Sequence, residues 1–354
     1  MKLFVVTDVH GHGTALRSVL EKAGFVAGAK DHLLISCGDC FDRGRENLDV
    51  LTLLESIPNK VLIRGNHEQM LGDMMANGRT DPIAEGNGTC ITLREFFGED
   101  AIAEDGTLRM PASKKRRVKR FLDDMVDYYE TKHYLFVHGW VPLGMRDGCH
   151  CLERHWRQSP PCDLHWSRWN DWHQLYGYAH LAPPADKTMV CGHRSAMYGI
   201  YFDRERPADS TLPFFGRGLI ALDASTAMSG RINLLVLEDQ LLTREHHMKL
   251  DAVHFDAIRA GKKTVEMRLL DERREDLRIG DTVTFLCNGR EESLSVRVMG
   301  LYSYPDFETL VQDYRPSALG FAGKKSSYIA RYMRAIYGKE KCERYRALAI
   351  RVKL

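Results

Sequence analysis

The chain has 354 residues, 44% of them hydrophobic and 28% charged, with 50 Lys and Arg against 48 Asp and Glu for a formal net charge of +2. That length exceeds what one core usually fills, so two domains are expected, and no apolar run reaches the ~18 residues a membrane span needs. Nine cysteines without a regular spacing argue for free thiols rather than a disulfide framework, and the strand-like N-terminus reads against a signal peptide; a cytoplasmic protein with no membrane partner is expected.

Taken in chain order, LFVVTD, HLLISCGD, KVLIRGNHE, YLFVHGW, TMVCGH, LIALDAS and INLLVLED are short apolar runs that stop at polar or glycine residues, and each predicts a buried strand. Amphipathic stretches at 14–23 and 46–57 predict helices between the first three, which makes the opening an α/β layered fold. Residues 68–132 break that rhythm and predict a helical insertion, with KKRR at 114–117 on a solvated helix face. The polar stretch EDQLLTREHHMKLD sets a domain boundary, dividing 1–247 from 248–354. Beyond it, GDTVTF and NGREES mark turns in a small, mostly β barrel closed by YRALAIRVKL. From residue 249 onward 21 Lys and Arg face 15 Asp and Glu, so the basic character lies at the C-terminal end and allows an anionic partner.

The polar residues that end the early runs carry the chemistry. Hydrolysing a phosphoester requires neutralising the phosphoryl group, supplying hydroxide at neutral pH and stabilising the leaving oxygen, and two divalent cations can do all three. Carboxylate, imidazole and amide donors suited to such a pair are Asp8, His10, Asp39, Asn66, His138 and His193. Asp39 has two carboxylate oxygens and is the natural bridge. Asp8, His10 and His193 are expected on one ion, and Asn66 and His138 on the other. Mixed oxygen and nitrogen donors favour Mn, with Fe, Zn or Ni also suited.

These residues stand in DVHGHG, GDCFDRG, RGNHE, HGW and GHR, in that order over residues 8–193, and the set resembles the calcineurin-like metallophosphoesterases, more narrowly the phosphoprotein phosphatase branch. The resemblance implies a layered β-sandwich with flanking helices, and a phosphorylated substrate, whether phosphoprotein, nucleotide or RNA end. It implies His67 as general acid, Asp42 as the carboxylate that orients it, and Arg43 as a clamp on the phosphoryl oxygens. Arg168, in CDLHWSRWNDW, corresponds to a further substrate arginine. Arg64 is expected to be structural. His12 is an addition to the first motif and is expected in a loop. Cys149, His150, Cys151, His155, Cys162 and His165 could bind zinc by residue type, but their spacing fits a capping segment better. The neighbouring Trp156, Trp166, Trp169 and Trp172 read as packing for that cap.

Residues 249–354 resemble the ASCH domain, a small PUA-like β barrel associated with RNA and modified nucleosides, through AGKKTVEMR, RIGDTVTF and ALAIRV. The resemblance places Lys263, Glu266 and Arg268 in a cleft, the cations toward phosphate or carbonyl oxygens and the glutamate toward an amino group. Binding of RNA or a nucleotide is expected there rather than hydrolysis. The alternative is a protein whose ASCH domain is the principal nucleoside-processing module.

Overall fold

The computed structural model of the chain describes residues 1–146, 149–152, 156–158, 186–201, 203–205, 207–242 and 244–354. The chain divides into two compact units, Met1–Leu143 with His165–Leu241, and Gly144–Leu164 with Leu242–Leu354. In the first unit the opening apolar runs form β1 (Lys2–Val6), β2 (His32–Ser36) and β3 (Lys60–Leu62), joined by α1 (Gly13–Lys22) and α2 (Asn47–Ser56). The strands are parallel, with Val6 opposite Ser36 and Ser36 opposite Leu62. Their C-terminal ends are therefore level, and the motif loops leave from one end of the sheet.

Phe4, Val6, Leu34 and Leu62 pack into a core shared with α1 and α2, while Leu3, Val5 and Ile35 are buried as well. Covering a parallel sheet on both faces requires continuous apolar runs rather than alternating ones, as the sequence has. The insertion supplies α3 (Asn66–Asn77), α4 (Pro82–Gly86), α5 (Thr89–Phe97) and α6 (Ala112–Asp123). They send Leu71, Met74, Leu93, Phe96 and Phe121 into the same core. The KKRR run lies on α6; its Arg117 pairs with Glu55 at 2.6 Å.

A second sheet in this unit orders β4 (Tyr129–Glu130), β5 (Tyr134–Phe136), β8, β10 and β9 side by side. Between them in sequence, β6 (Leu143–Arg146) and β7 (Cys149–Leu152) pair only with each other among the described residues. β8 (Thr188–Cys191) runs parallel to β5, Val190 opposite Phe136, and β10 (Leu219–Ala221) parallel to β8, with β9 (Phe214–Gly216) on the edge. After the short α7 (Thr226–Ser229), β11 (Leu234–Glu238) returns to the first sheet, antiparallel to β1.

In the second unit β12 (Glu245–Leu250), β13 (Val265–Leu269), β14 (Thr282–Cys287), β15 (Ser293–Tyr304) and β16 (Ala347–Lys353) form a mixed sheet in the order β12-β14-β15-β16-β13. Helices α8 (Ala252–Arg259), α9 (Phe307–Leu310), α10 (Ser326–Tyr337) and α11 (Lys339–Arg344) accompany it. Alternation along β16 sends Ala347 and Ala349 to one core and Leu348 and Ile350 to the other. A closed barrel is the expectation from sequence; the described residues give a five-stranded sheet in which no pairing joins β12 to β13. The unit is also less purely β than expected, because α10 packs Ile329, Ala330 and Met333 onto one face of the sheet.

Candidate metal centre

The loops after β1, β2, β3, β5 and β8 bring the candidate ligands together at adjoining strand ends. Asp8, His10, Asp39, Asp42, Arg43 and His193 all take left-handed backbone, φ 46° to 74°, and among the described residues only Ser225 joins them outside glycine. Each such residue costs on the order of 1–3 kcal/mol. The loops can hold that strain because they are bound to one another: His10 N–H donates to the Asp39 carbonyl, Asp8 N–H to Gly38, and Gly11 N–H to Cys40, each at 3.0 Å.

Glycine permits the closest approaches. A Cβ on Gly65 would stand 2.1 Å from Asp39 Oδ1, and one on Gly192 would stand 2.0 Å from Asp8 Oδ2. Cys37, Cys40 and Cys191 are buried beside these loops outside any disulfide, and burial raises Cys37 and Cys40 well above the usual thiol range.

Asp39 faces two clusters with its two oxygens. Its Oδ2 lies 3.9 Å from His10 Nε2 and 3.8 Å from His67 Nε2, and its Oδ1 lies 3.4 Å from His138 Nε2. Asp8 Oδ1 is 3.9 Å from His10 Nε2, and Asn66 Oδ1 is 3.0 Å from His138 Nε2. Donors bound at about 2.1 Å to a common ion stand about 3.0–3.5 Å apart, so both clusters can close on a cation with small shifts. His193 groups with Asp39 and His138, not with Asp8 and His10 as the sequence reading assigned it. The reason is topological: His193 follows β8, and His138 follows β5, its parallel neighbour.

Electrostatics points the same way. Burial opposes charge on Asp39, but His138, His67 and His10 outweigh it and hold the carboxyl well below the usual range. Burial raises Asp8 well above that range, with Asp223 adding to it, and takes Asp223 to about 6. His138 runs against its own burial, raised to about 9 by Asp39 and Asp8. Surplus negative charge is thus met by protons, a role cations would fill. His10 is lowered to about 3 by burial and is neutral, as a ligand nitrogen must be.

The hydrogen bonds around the acid candidate are equally defined. His67 Nδ1 lies 2.7 Å from Asp42 Oδ2, and that carboxylate also accepts Thr89 Oγ1 at 2.7 Å and, through Oδ1, Thr92 Oγ1 at 2.5 Å. Burial works against a charged His67, yet Asp39 and Asp42 raise its pKa above the ordinary imidazole value. Arg43 donates through Nη1 to His10 Nε2 at 3.1 Å and through Nη2 to His67 Nε2 at 3.2 Å. It must release His10 before that nitrogen can hold a cation. Arg64 donates to the Leu122 carbonyl at 2.6 Å, tying α6 to the motif loop.

Sequence reasoning missed Glu68, Asp223, Thr89 and Thr92. Glu68 is in RGNHE and Asp223 directly follows the apolar LIAL of LIALDAS, so both carried a signal; the threonines carried none. Arg168, His155, Cys162, His165, Trp166, Trp169 and Trp172 lie outside the described residues. Trp156 is buried, with the Arg157 guanidinium 4.3 Å from its ring centre. His12 is the N-cap of α1, its Nδ1 2.6 Å from the His10 carbonyl.

In the second unit Lys263, Glu266 and Arg268 are brought together. Lys263 Nζ is 3.2 Å from Glu266 Oε2, and Arg268 Nη1 is 2.9 Å from Glu266 Oε1. They line a cavity of about 170 Å³ together with His254, Phe321 and Tyr332. Burial lowers the Lys263 pKa; burial pushes Glu266 up, but Arg268 and Lys263 bring it below its ordinary value.

The calcineurin-like phosphoesterase family profile matches residues 1–220. Serine/threonine-protein phosphatase 2 of Salmonella typhimurium is 42% identical over 220 residues, 60% of this chain and 91% of that protein. The Escherichia coli protein of the same name is 43% identical over 101 residues, 28% of this chain, and the match spans 45% of its length. Among solved structures, a cold-active protein-tyrosine phosphatase of a psychrophilic Shewanella is 20% identical with a TM-score of 0.41, over 67% of this chain and 75% of that one. A Pyrococcus furiosus protein is 28% identical with a TM-score of 0.27, over 31% of this chain and 96% of that one. The chain belongs to the calcineurin-like phosphoesterases, a family of phosphoric ester hydrolases.

Proposed function

We propose that the chain is a binuclear-metal-dependent phosphoesterase of the Ser/Thr phosphatase type, and that Asp39 bridges the two ions. The observation that carries this reading is the division of the Asp39 oxygens between two histidine clusters. Asp8, His10 and Asp39 would hold one cation, and Asp39, Asn66, His138 and His193 the other, with Mn, Fe, Zn or Ni suited to the donors. Bound there, the pair would neutralise the phosphoryl group and supply the attacking water. Arg43 then holds phosphoryl oxygens, and His67, oriented by Asp42, gives its proton to the leaving oxygen.

The leaving group offers the test. With Mn, Asp39→Asn should abolish turnover of phenyl and 4-nitrophenyl phosphate alike. His67→Asn should lower kcat on phenyl phosphate by about 10²–10⁴-fold and on 4-nitrophenyl phosphate far less, because a good leaving group needs little protonation. Equal losses on both esters would remove His67 from the acid role, and turnover surviving Asp39→Asn would remove the bridge.

Residues 248–354 are read as an ASCH, PUA-like module that binds RNA or a nucleotide through Lys263, Glu266 and Arg268. Their mutual pairing around a cavity supports that reading. Lys263→Ala in the full chain should weaken binding of a labelled oligoribonucleotide at least tenfold, roughly the worth of one buried charge-assisted contact, without touching aryl phosphate turnover. Unchanged RNA binding would take this role from the cavity.

A further inference from the structure

A groove of about 750 Å³ opens along α1 in the first unit. Its floor is the helix face of Ala15, Ser18 and Val19, and Leu212 and Ile232 contribute apolar surface. Lys22, Arg45 and Arg231 supply exposed cations, and among the described residues none of the three has an ion-pair partner. Glu46, the one carboxylate of the lining among the described residues, is committed: its oxygens accept Thr14 N–H at 2.8 Å and Thr14 Oγ1 at 2.6 Å, and those bonds lower its pKa.

The groove adjoins the metal centre through shared backbone. Gly11 and His12 line it, and Gly11 follows His10 directly. Glu46 N–H donates to the Gly11 carbonyl at 2.9 Å, and Gly44 N–H to the His10 carbonyl at 3.0 Å. One end of the groove is therefore built from the two loops that present His10 and Arg43.

We propose that this groove seats the polypeptide on one side of a phosphorylated residue and selects acidic side chains there; this rests on the phosphoesterase reading above. The cations match carboxylates, and the aliphatic surface of Val19, Leu212 and Ile232 matches peptide side chains. A single-stranded nucleic acid would be held on aromatic platforms, and among the described residues the lining has no Phe, Tyr or Trp.

The test is steady-state kinetics of the full chain with Mn on three phosphoserine peptides that differ only in acidic, neutral or basic flanks, beside 4-nitrophenyl phosphate and a 5′-phosphorylated oligoribonucleotide. Wild type should show its highest kcat/KM on the acidic peptide. The double reversal Lys22→Glu with Arg231→Glu should lower that value about tenfold and leave 4-nitrophenyl phosphate turnover intact, which also reports a folded centre. Should the reversal unfold the protein, Lys22→Gln with Arg231→Gln should lower it about threefold. Turnover of 4-nitrophenyl phosphate without an acidic preference, or a preference that survives the substitutions, overturns the groove alone. A preference for the oligoribonucleotide that the substitutions remove overturns it in favour of RNA. Absence of any aryl phosphate turnover in wild type overturns the metal-centre reading and the groove with it.

Discussion

Glu68 sets one buried carboxylate against three main-chain donors: Asp39 N–H and Gly65 N–H at 2.9 Å on Oε2, and Cys40 N–H at 2.8 Å on Oε1. Burial raises its pKa, and so does Asp39, while the donors favour the ionised form. Its work is to lock the GDC turn against the start of α3, so that Asp39 keeps a left-handed backbone. Glu68→Gln keeps the shape but turns an NH₂ toward an N–H, leaving buried donors unmatched at about 2–3 kcal/mol. A fall of about 5 °C or more in the first thermal transition is expected, with aryl phosphate turnover reduced; a variant melting with wild type would show that the bonds carry little. At this scale the candidate ligands are legible because each polar residue ends an apolar run, a pattern chemistry alone explains. Glu68 sat in the same motif unremarked, since nothing in a sequence distinguishes a carboxylate facing a metal from one facing backbone.

Helix α5 shows what residue-level reading cannot reach. Thr89 and Thr92 are one turn apart, and both donate to Asp42, 47 and 50 residues earlier in the chain. The insertion is thus part of the site and not only a cover for the core. Thr92→Val should lower kcat on phenyl phosphate about tenfold by loosening Asp42 and with it His67, while Thr92→Ser restores it. A valine variant with wild-type kcat would confine α5 to packing. The pattern of Ile329, Ala330 and Met333 on α10 is readable as a helix too, yet the mostly β description rested on the turn signals GDTVTF and NGREES, some forty residues upstream. Turn residues mark where strands end but do not say whether a sheet closes, and the expected barrel rested on them.

Across the first unit, the two sheets are joined by a clasp at the strand ends away from the candidate metal centre. Asp239, just after β11, accepts His133 N–H at 2.9 Å and pairs with His133 Nδ1 at 2.7 Å, and His133 lies in the turn between β4 and β5. Burial opposes its charge, but bonds from Thr131, His133 and Gln240 take its pKa from 3.8 to about 2. A carboxyl depressed on folding stabilises above its unfolded value and loses that contribution as pH falls through the folded one. Asp239→Asn should therefore melt below wild type at pH 7, with about half the gap left at pH 3. A gap independent of pH would mean that shape, not charge, holds the clasp. The polar stretch near residue 240 was legible as an interruption in apolar patterning, whereas the grouping of Gly144–Leu164 with the C-terminal unit depends on long-range contacts that no local pattern records.

The thiols of Cys37, Cys40 and Cys191, shut in beside the ligand loops, give the molecule an internal clock. Alkylating reagents reach a buried thiol only when the surrounding loops come apart, so the rate of modification counts openings of the motif loops. Cys90 and Cys342, only partly covered, supply the reference rate on the same chain. Any cation or phosphorylated ligand that braces the centre becomes visible as a slower clock, without a substrate having to be turned over.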